Sequence, residues 1–190
     1  MTVISDGRQH LDFDASWSAS KWDESPAFVG SFEQALHNLA GEGVKAADAV
    51  GVRIVRGRST TLLIAEFKDF NRPGATRRQQ EEESEGSISD KLARNIVRKV
   101  VDTLCGATFA HDAQDQRPEE LASWRQSLGR PTTALLVLIC VEVAASQAVA
   151  AGPWTKKLKG RLRWLGPDTQ VLVTNGSRPF AGGGLRYRVE

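Results

Sequence analysis

Asp48, Glu66 and Lys68 are the residues whose types and spacing best suit chemistry. Two apolar runs lie between them, AVGVRIVR and TTLLIAEF, separated by Gly57-Arg58-Ser59. If the chain turns through those three residues, an antiparallel hairpin puts Arg56 opposite Thr60, Val52 opposite Ile64 and Asp48 opposite Lys68. Glu66 then shares their face, because side chains two apart in a strand point the same way. A turn with an even number of residues would split the cluster across the sheet. Two carboxylates at the rim of an apolar strand pair repel each other unless a cation lies between them. A hard divalent ion, Mg²⁺ or Mn²⁺, suits such oxygens and keeps several waters. A lysine beside it can orient or help deprotonate a metal-bound water, or neutralise phosphate charge. Together these are the parts for phosphodiester hydrolysis. The plainer alternative is a salt-bridged lysine with two exposed strand-end carboxylates.

The elements that must position these residues follow from periodicity. Residues 1–30 hold Asp, Ser, Trp17 and Trp22 with no steady period, and read as an irregular N-terminal arm ending at Pro26 and Gly30. From 31 to 190 the chain reads as a single α/β domain. Phe32, Ala35, Leu36 and Leu39 fall at helical spacing behind a candidate Ser31 cap. Residues 45–56 and 60–70 read as strands. Residues 71–87, rich in charge, Gly and Pro, read as a mobile loop. Leu92, Ala93, Ile96, Val97, Val100, Val101 and Leu104 mark a buried helical stripe, with Ser87 or Ser89 as its cap. TALLVLICVEV at 133–143 reads as a central strand covered on both faces. A helix over 155–165, a strand over 169–174 and an edge strand at LRYRV complete the order. The expected architecture is a mixed central β-sheet with helices on both faces.

Asp48, followed by Glu66-Phe67-Lys68 at the end of an apolar strand, resembles the PD-(D/E)XK nuclease superfamily, which includes Holliday-junction resolvases and many restriction endonucleases. The resemblance spans the order of elements from about 31 to 145. Ala46-Ala47 precede the Asp here, where that family often has Pro. Asp69-Phe70 and the helix ending in KVVDTL are also similar to uncharacterised bacterial members associated with defence or mobile elements. The resemblance implies a restriction-endonuclease-like core and a metal-dependent nuclease, acting on DNA in preference to RNA. It implies Asp48, Glu66 and the backbone carbonyl of Phe67 as metal ligands, with Lys68 positioning the water or stabilising the transition state. It also implies a further Glu from the first core helix: Glu33, with Glu24 and Glu42 as alternatives. Such small nucleases often work as homodimers or inside larger complexes. The competing reading is a non-catalytic nucleic-acid-binding or scaffold subunit on the same fold.

The segment KKLKGRLRWLG carries Lys156, Lys157, Lys159, Arg161 and Arg163 around Leu158, Leu162 and Leu165. It reads either as a basic amphipathic helix tracking a phosphate backbone or as a surface helix packed by its leucines. Arg53, Arg56, Arg58, Arg72, Arg77 and Arg78 flank the proposed site, and Lys91 and Arg94 begin the helix that follows.

The rest of the composition excludes more than it assigns. Of 190 residues, 41% are apolar and 25% charged, as in an ordinary globular protein. No apolar run approaches the roughly 20 residues of a membrane helix, and no secretory leader is visible, so a cytoplasmic protein without membrane contact is expected. Cys105 and Cys140 read as buried thiols, too few for a zinc finger. Charge is uneven: residues 1–50 net −5, 51–80 net +5 and 151–190 net +6. Two basic blocks on a nearly neutral chain can line one groove if they meet in space. His10, His37 and His111 stand isolated, and no GxSxG or P-loop motif occurs.

Overall fold

The computed structural model describes residues 1–25, 28, 44–70, 88–109, 124, 133–142 and 151–190. Its centre is a five-stranded mixed sheet in the order β3-β4-β5-β6-β7. The strands are β3 (Trp17–Lys21), β4 (Ala49–Val55), β5 (Arg58–Asp69), β6 (Ala134–Glu142) and β7 (Thr169–Asn175). β3, β4 and β5 are antiparallel neighbours, whereas β5, β6 and β7 run parallel. Parallel neighbours need crossovers. Helix α1 (Asp90–Phe109) lies between β5 and β6, and helix α2 (Ala151–Leu162) lies between β6 and β7.

Sequence pattern accounts for these elements. Ser89 caps α1, its Oγ accepting the Leu92 N–H at 3.1 Å. Ala93, Ile96, Val100 and Ala107 form the buried stripe of α1, and Trp154, Leu158 and Leu162 that of α2. β6 is buried on both faces, as its unbroken apolar run predicts. Its Val137, Ile139 and Val141 meet the helices, while Leu136, Leu138 and Cys140 face the opposite way.

What covers that opposite face differs from expectation. Among the described residues both long helices lie in one core, on one side of the sheet. β5, β6 and β7 are added in one direction, so right-handed crossovers carry both helices to the same face. The other face is covered by a four-stranded sheet, β1-β2-β9-β8. It comprises β1 (Thr2–Asp6), β2 (Gln9–Phe13), β8 (Ala181–Gly182) and β9 (Leu185–Val189). Residues 2–21, read from sequence as an irregular arm, thus supply three strands. Their five-residue length hides the alternation of Leu11 and Phe13, and β2 pairs with β9 from the far end of the chain. LRYRV is accordingly an interior strand, with β2 on one side and β8 on the other. Trp17 and Trp22 are core residues. Cys105 is exposed, contrary to expectation, because it falls on the helix face shared by Lys91, Arg94 and Arg98. Cys140 is buried.

The expected helix over 31–40 and the loop over 71–87 lie outside the described residues. No described helix is long and apolar enough to cross a membrane.

Candidate functional site

The β4–β5 hairpin does bring Asp48, Glu66 and Lys68 to one face, by another route than the three-residue turn. The turn is Arg56-Gly57, with Val55 opposite Arg58. Both turn residues have positive φ, 50° and 72°, the mirror-image geometry that suits the strand twist. An even turn alone would split the cluster. A bulge between Arg53 and Ile54 moves the register by one, so that Arg53 faces Thr61 while Ile54 faces Ser59. Beyond the bulge Val52 faces Leu62 and Ala49 faces Ala65. The register is therefore two residues from the expected one, with the same parity. Val50, Val52, Leu62 and Ile64 point into the helix-side core, and Glu66 and Lys68 continue that face of β5.

β4 parts from β5 just before Ala49, and Asp48 fills the gap. The Phe67 N–H donates to Asp48 Oδ2 at 2.5 Å, where a strand partner would otherwise accept. The Phe67 carbonyl leaves the strand toward the same gap, since N–H and C=O of one extended residue point the same way. Three backbone bonds hold this lead-in. Trp22 N–H reaches the Asp48 carbonyl at 2.9 Å. Ala47 N–H reaches Thr103 Oγ1 at 2.8 Å, and Lys45 N–H reaches Asp102 Oδ2 at 3.0 Å. Helix α1 thus positions the segment that leads into Asp48.

Helix α1 also adds a charge that the sequence pattern did not assign. Lys99 Nζ lies 2.6 Å from Glu66 Oε1 and 3.6 Å from Asp48 Oδ1. Lys68 pairs with the same Glu66 oxygen. Glu66 is 1% exposed, and burial pushes its pKa up despite the opposing Lys68 charge. Burial alone would lower Lys99, but Glu66 and then Asp48 outweigh it and raise its pKa. Asp23, just past β3, is a third acid of the cluster. Burial and then the Asp48 charge raise its pKa. Spacing from Glu66 held no signal for Lys99 or Asp23, because both arrive from other elements.

The cluster opens on a cleft of about 540 Å³ lined by Asp23, Lys45, Lys68, Leu92, Asn95 and Lys99, among others. Two of the acidic oxygens, Glu66 Oε2 and Asp23 Oδ1, are buried without a hydrogen-bond partner. Such atoms are costly to leave bare, and a hard cation satisfies them. Among the described residues no three His, Cys, Asp or Glu side chains form a ready cage. Mg²⁺ commonly takes only one or two carboxylates and keeps its waters, so Asp48, Glu66 and the Phe67 carbonyl form a donor set that fits it.

The remaining expected residues divide. Glu33 and Glu42 lie outside the described residues, as do Arg72, Arg77 and Arg78. Glu24 is exposed and pairs with Lys21 at 2.5 Å, so it does not join the cluster. On α2, Lys157 and Arg161 both pair with Asp90 of α1, at 2.9 and 2.8 Å. That pairing ties the two helices together and engages two of the five cations of this segment. Lys156, Lys159 and Arg163 are exposed.

Comparison with known proteins adds no relative: no family model, no curated protein and no solved structure matches this chain.

Proposed function

We propose that this chain is a divalent-metal-dependent nuclease that hydrolyses phosphodiester bonds, in DNA before RNA. One observation carries the reading. Asp48 and Glu66 meet behind Lys68 and Lys99, which line a cleft, and a buried Glu66 oxygen there lacks a partner. Asp48, Glu66 and the Phe67 carbonyl would hold Mg²⁺ or Mn²⁺, which supplies Lewis-acid polarisation of the phosphate and a more acidic water. Lys68 would orient the attacking water and offset charge gathering on the phosphoryl oxygens. Hydrolysis adds water across one P–O bond, leaving a phosphomonoester and a hydroxyl end. The Lys45, Lys68 and Lys99 side chains around the cleft favour a polyanion.

A second reading is favoured by Lys68 and Lys99 sharing Glu66 Oε1. Such a network balances buried charge without a metal, as a non-catalytic nucleic-acid-binding or scaffold subunit would require.

The deciding experiment follows labelled single- and double-stranded DNA and RNA with Mg²⁺, Mn²⁺ or EDTA. Wild type, Asp48→Ala and Lys68→Ala run side by side. Metal-dependent cutting that both substitutions abolish is the expected result. A folded wild type that neither cuts nor binds Mn²⁺ by calorimetry overturns it in favour of the scaffold.

A further inference from the structure

Four of the five tryptophans are buried: Trp17, Trp22, Trp124 and Trp154 are at most 8% exposed. Trp164 is 58% exposed. It sits in the short 3-10 turn that extends α2, over Arg163–Leu165. One helical turn earlier is Gly160, also exposed, where even a Cβ would meet open space. No side chain at that position can crowd the indole.

The surroundings of Trp164 are basic. Exposed Lys156, Lys159 and Arg163 recur at three- and four-residue spacing, so they share one face of α2. Asp90 of α1 holds Lys157 and Arg161 on the adjoining flank, fixing the two helices side by side. On α1, Leu92, Asn95 and Lys99 line the cleft, and exposed Lys91 and Arg94 lie one step around the helix from them. Basic residues therefore stand beside the cleft on α1 and again on α2, with the Asp90 carboxylate at the seam between the two helices.

We propose that this helix layer docks single-stranded nucleic acid, with a base stacked on Trp164 and phosphates on Lys156, Lys159 and Arg163. The proposal rests on the nucleic-acid part of the proposed function and not on the metal. A single strand is the occupant because a duplex keeps its base faces stacked inside, whereas an unpaired base offers one to an aromatic ring. Lysine and arginine supply the sequence-independent grip on the backbone. The surface gives the cleft a direction: a strand engaged on α2 passes over α1 toward Asp48 and Glu66.

The test uses the full chain in EDTA, so that binding is read without cleavage. A labelled oligothymidylate is titrated by anisotropy, and tryptophan fluorescence is followed in parallel. The four buried indoles respond weakly to a surface ligand, so quenching reports on Trp164. Wild type is expected to bind with quenching, and to bind the single strand more tightly than a duplex of equal length. Trp164→Ala should weaken binding about tenfold, within the range of one lost base stack, and Trp164→Phe should restore most of it. The triple substitution of Lys156, Lys159 and Arg163 by Ala should flatten the salt dependence by about two in log–log slope. Tight binding that Trp164→Ala leaves unchanged overturns the platform while sparing the nucleic-acid reading. Quenching by anionic phospholipid vesicles but not by the oligonucleotide assigns the surface to membranes and overturns it. Binding that persists when no nuclease activity is found leaves the platform standing without the enzyme.

Discussion

Lys99 on α1 reaches Glu66 on β5 at 2.6 Å, and this ion pair joins the helix layer to the strand that carries the buried carboxylate. The same ammonium lies 3.6 Å from Asp48, so it stands between the two acids proposed to hold a metal. A unit charge about 4 Å away is worth roughly 4 kcal/mol at an effective dielectric of about 20. Lys99→Gln is accordingly expected to tighten Mn²⁺ binding about tenfold, even if solvent screens two-thirds of that energy. Calorimetry of wild type and variant checks this, and unchanged or weaker binding contradicts it.

Glu66 has a raised pKa in the native state, mainly from burial. The native state therefore holds its proton at a pH where the unfolded chain, near 4.5, has released it. Stability then falls as pH rises from 4.5 through the raised native value, by about 1.4 kcal/mol per unit of difference. Below 4.5 both states are protonated and the penalty vanishes. Glu66→Gln lacks this titration. Urea melts in EDTA from pH 4 to pH 8 should show wild type gaining stability on the variant toward the acid end. Parallel profiles would show that Glu66 ionises normally.

Thr103 accepts the Ala47 N–H from within the core, and both residues are fully buried. Thr103→Val preserves the branched shape and leaves that N–H without an acceptor. The expected loss is about 1–3 kcal/mol, read as a lower denaturant midpoint with an unchanged slope. Because Ala47 adjoins Asp48, Mn²⁺ affinity should fall as well. A stable variant with native metal affinity would mean that the lead-in to β4 is held by other interactions.

Asp90 engages Lys157 and Arg161 at once, and those cations, Lys157 first, hold its pKa below the usual carboxylate value. Asp90→Asn releases both for phosphate and removes a repelling charge. Affinity for an oligonucleotide should rise at low salt, with the log–log slope steeper by about 0.7 for each further phosphate neutralised. Anisotropy titrations at several salt concentrations measure this. A loss of affinity would show that the α1–α2 tie matters more to binding than the freed charges.

The hairpin shows how sequence can yield a correct grouping through an incorrect register. Asp48, Glu66 and Lys68 share a face because apolar residues two apart, Val50, Val52, Leu62 and Ile64, must all enter one core. That constraint holds parity and leaves the turn undetermined. A three-residue turn satisfies it, and so does Arg56-Gly57 with a bulge at Arg53/Ile54. Conversely, the five exposed-looking cations of α2 could not be sorted by periodicity, since the carboxylate that claims two of them sits on another helix.

Local burial is what the chain records in its own spacing. The stripes of α1 and α2, the doubly covered β6, β7 and the common face of Asp48, Glu66 and Lys68 all follow from apolar periodicity along short stretches. The remainder came from tertiary assembly. It joined β2 to β9 across nearly the whole chain, covered one face of the central sheet with a second sheet, and delivered Lys99 and Asp23 to the acidic cluster. The reason is physical. A side chain's periodicity reports only whether its position is buried, whereas strand partners and ion pairs are chosen between segments whose separation along the chain carries no local signal.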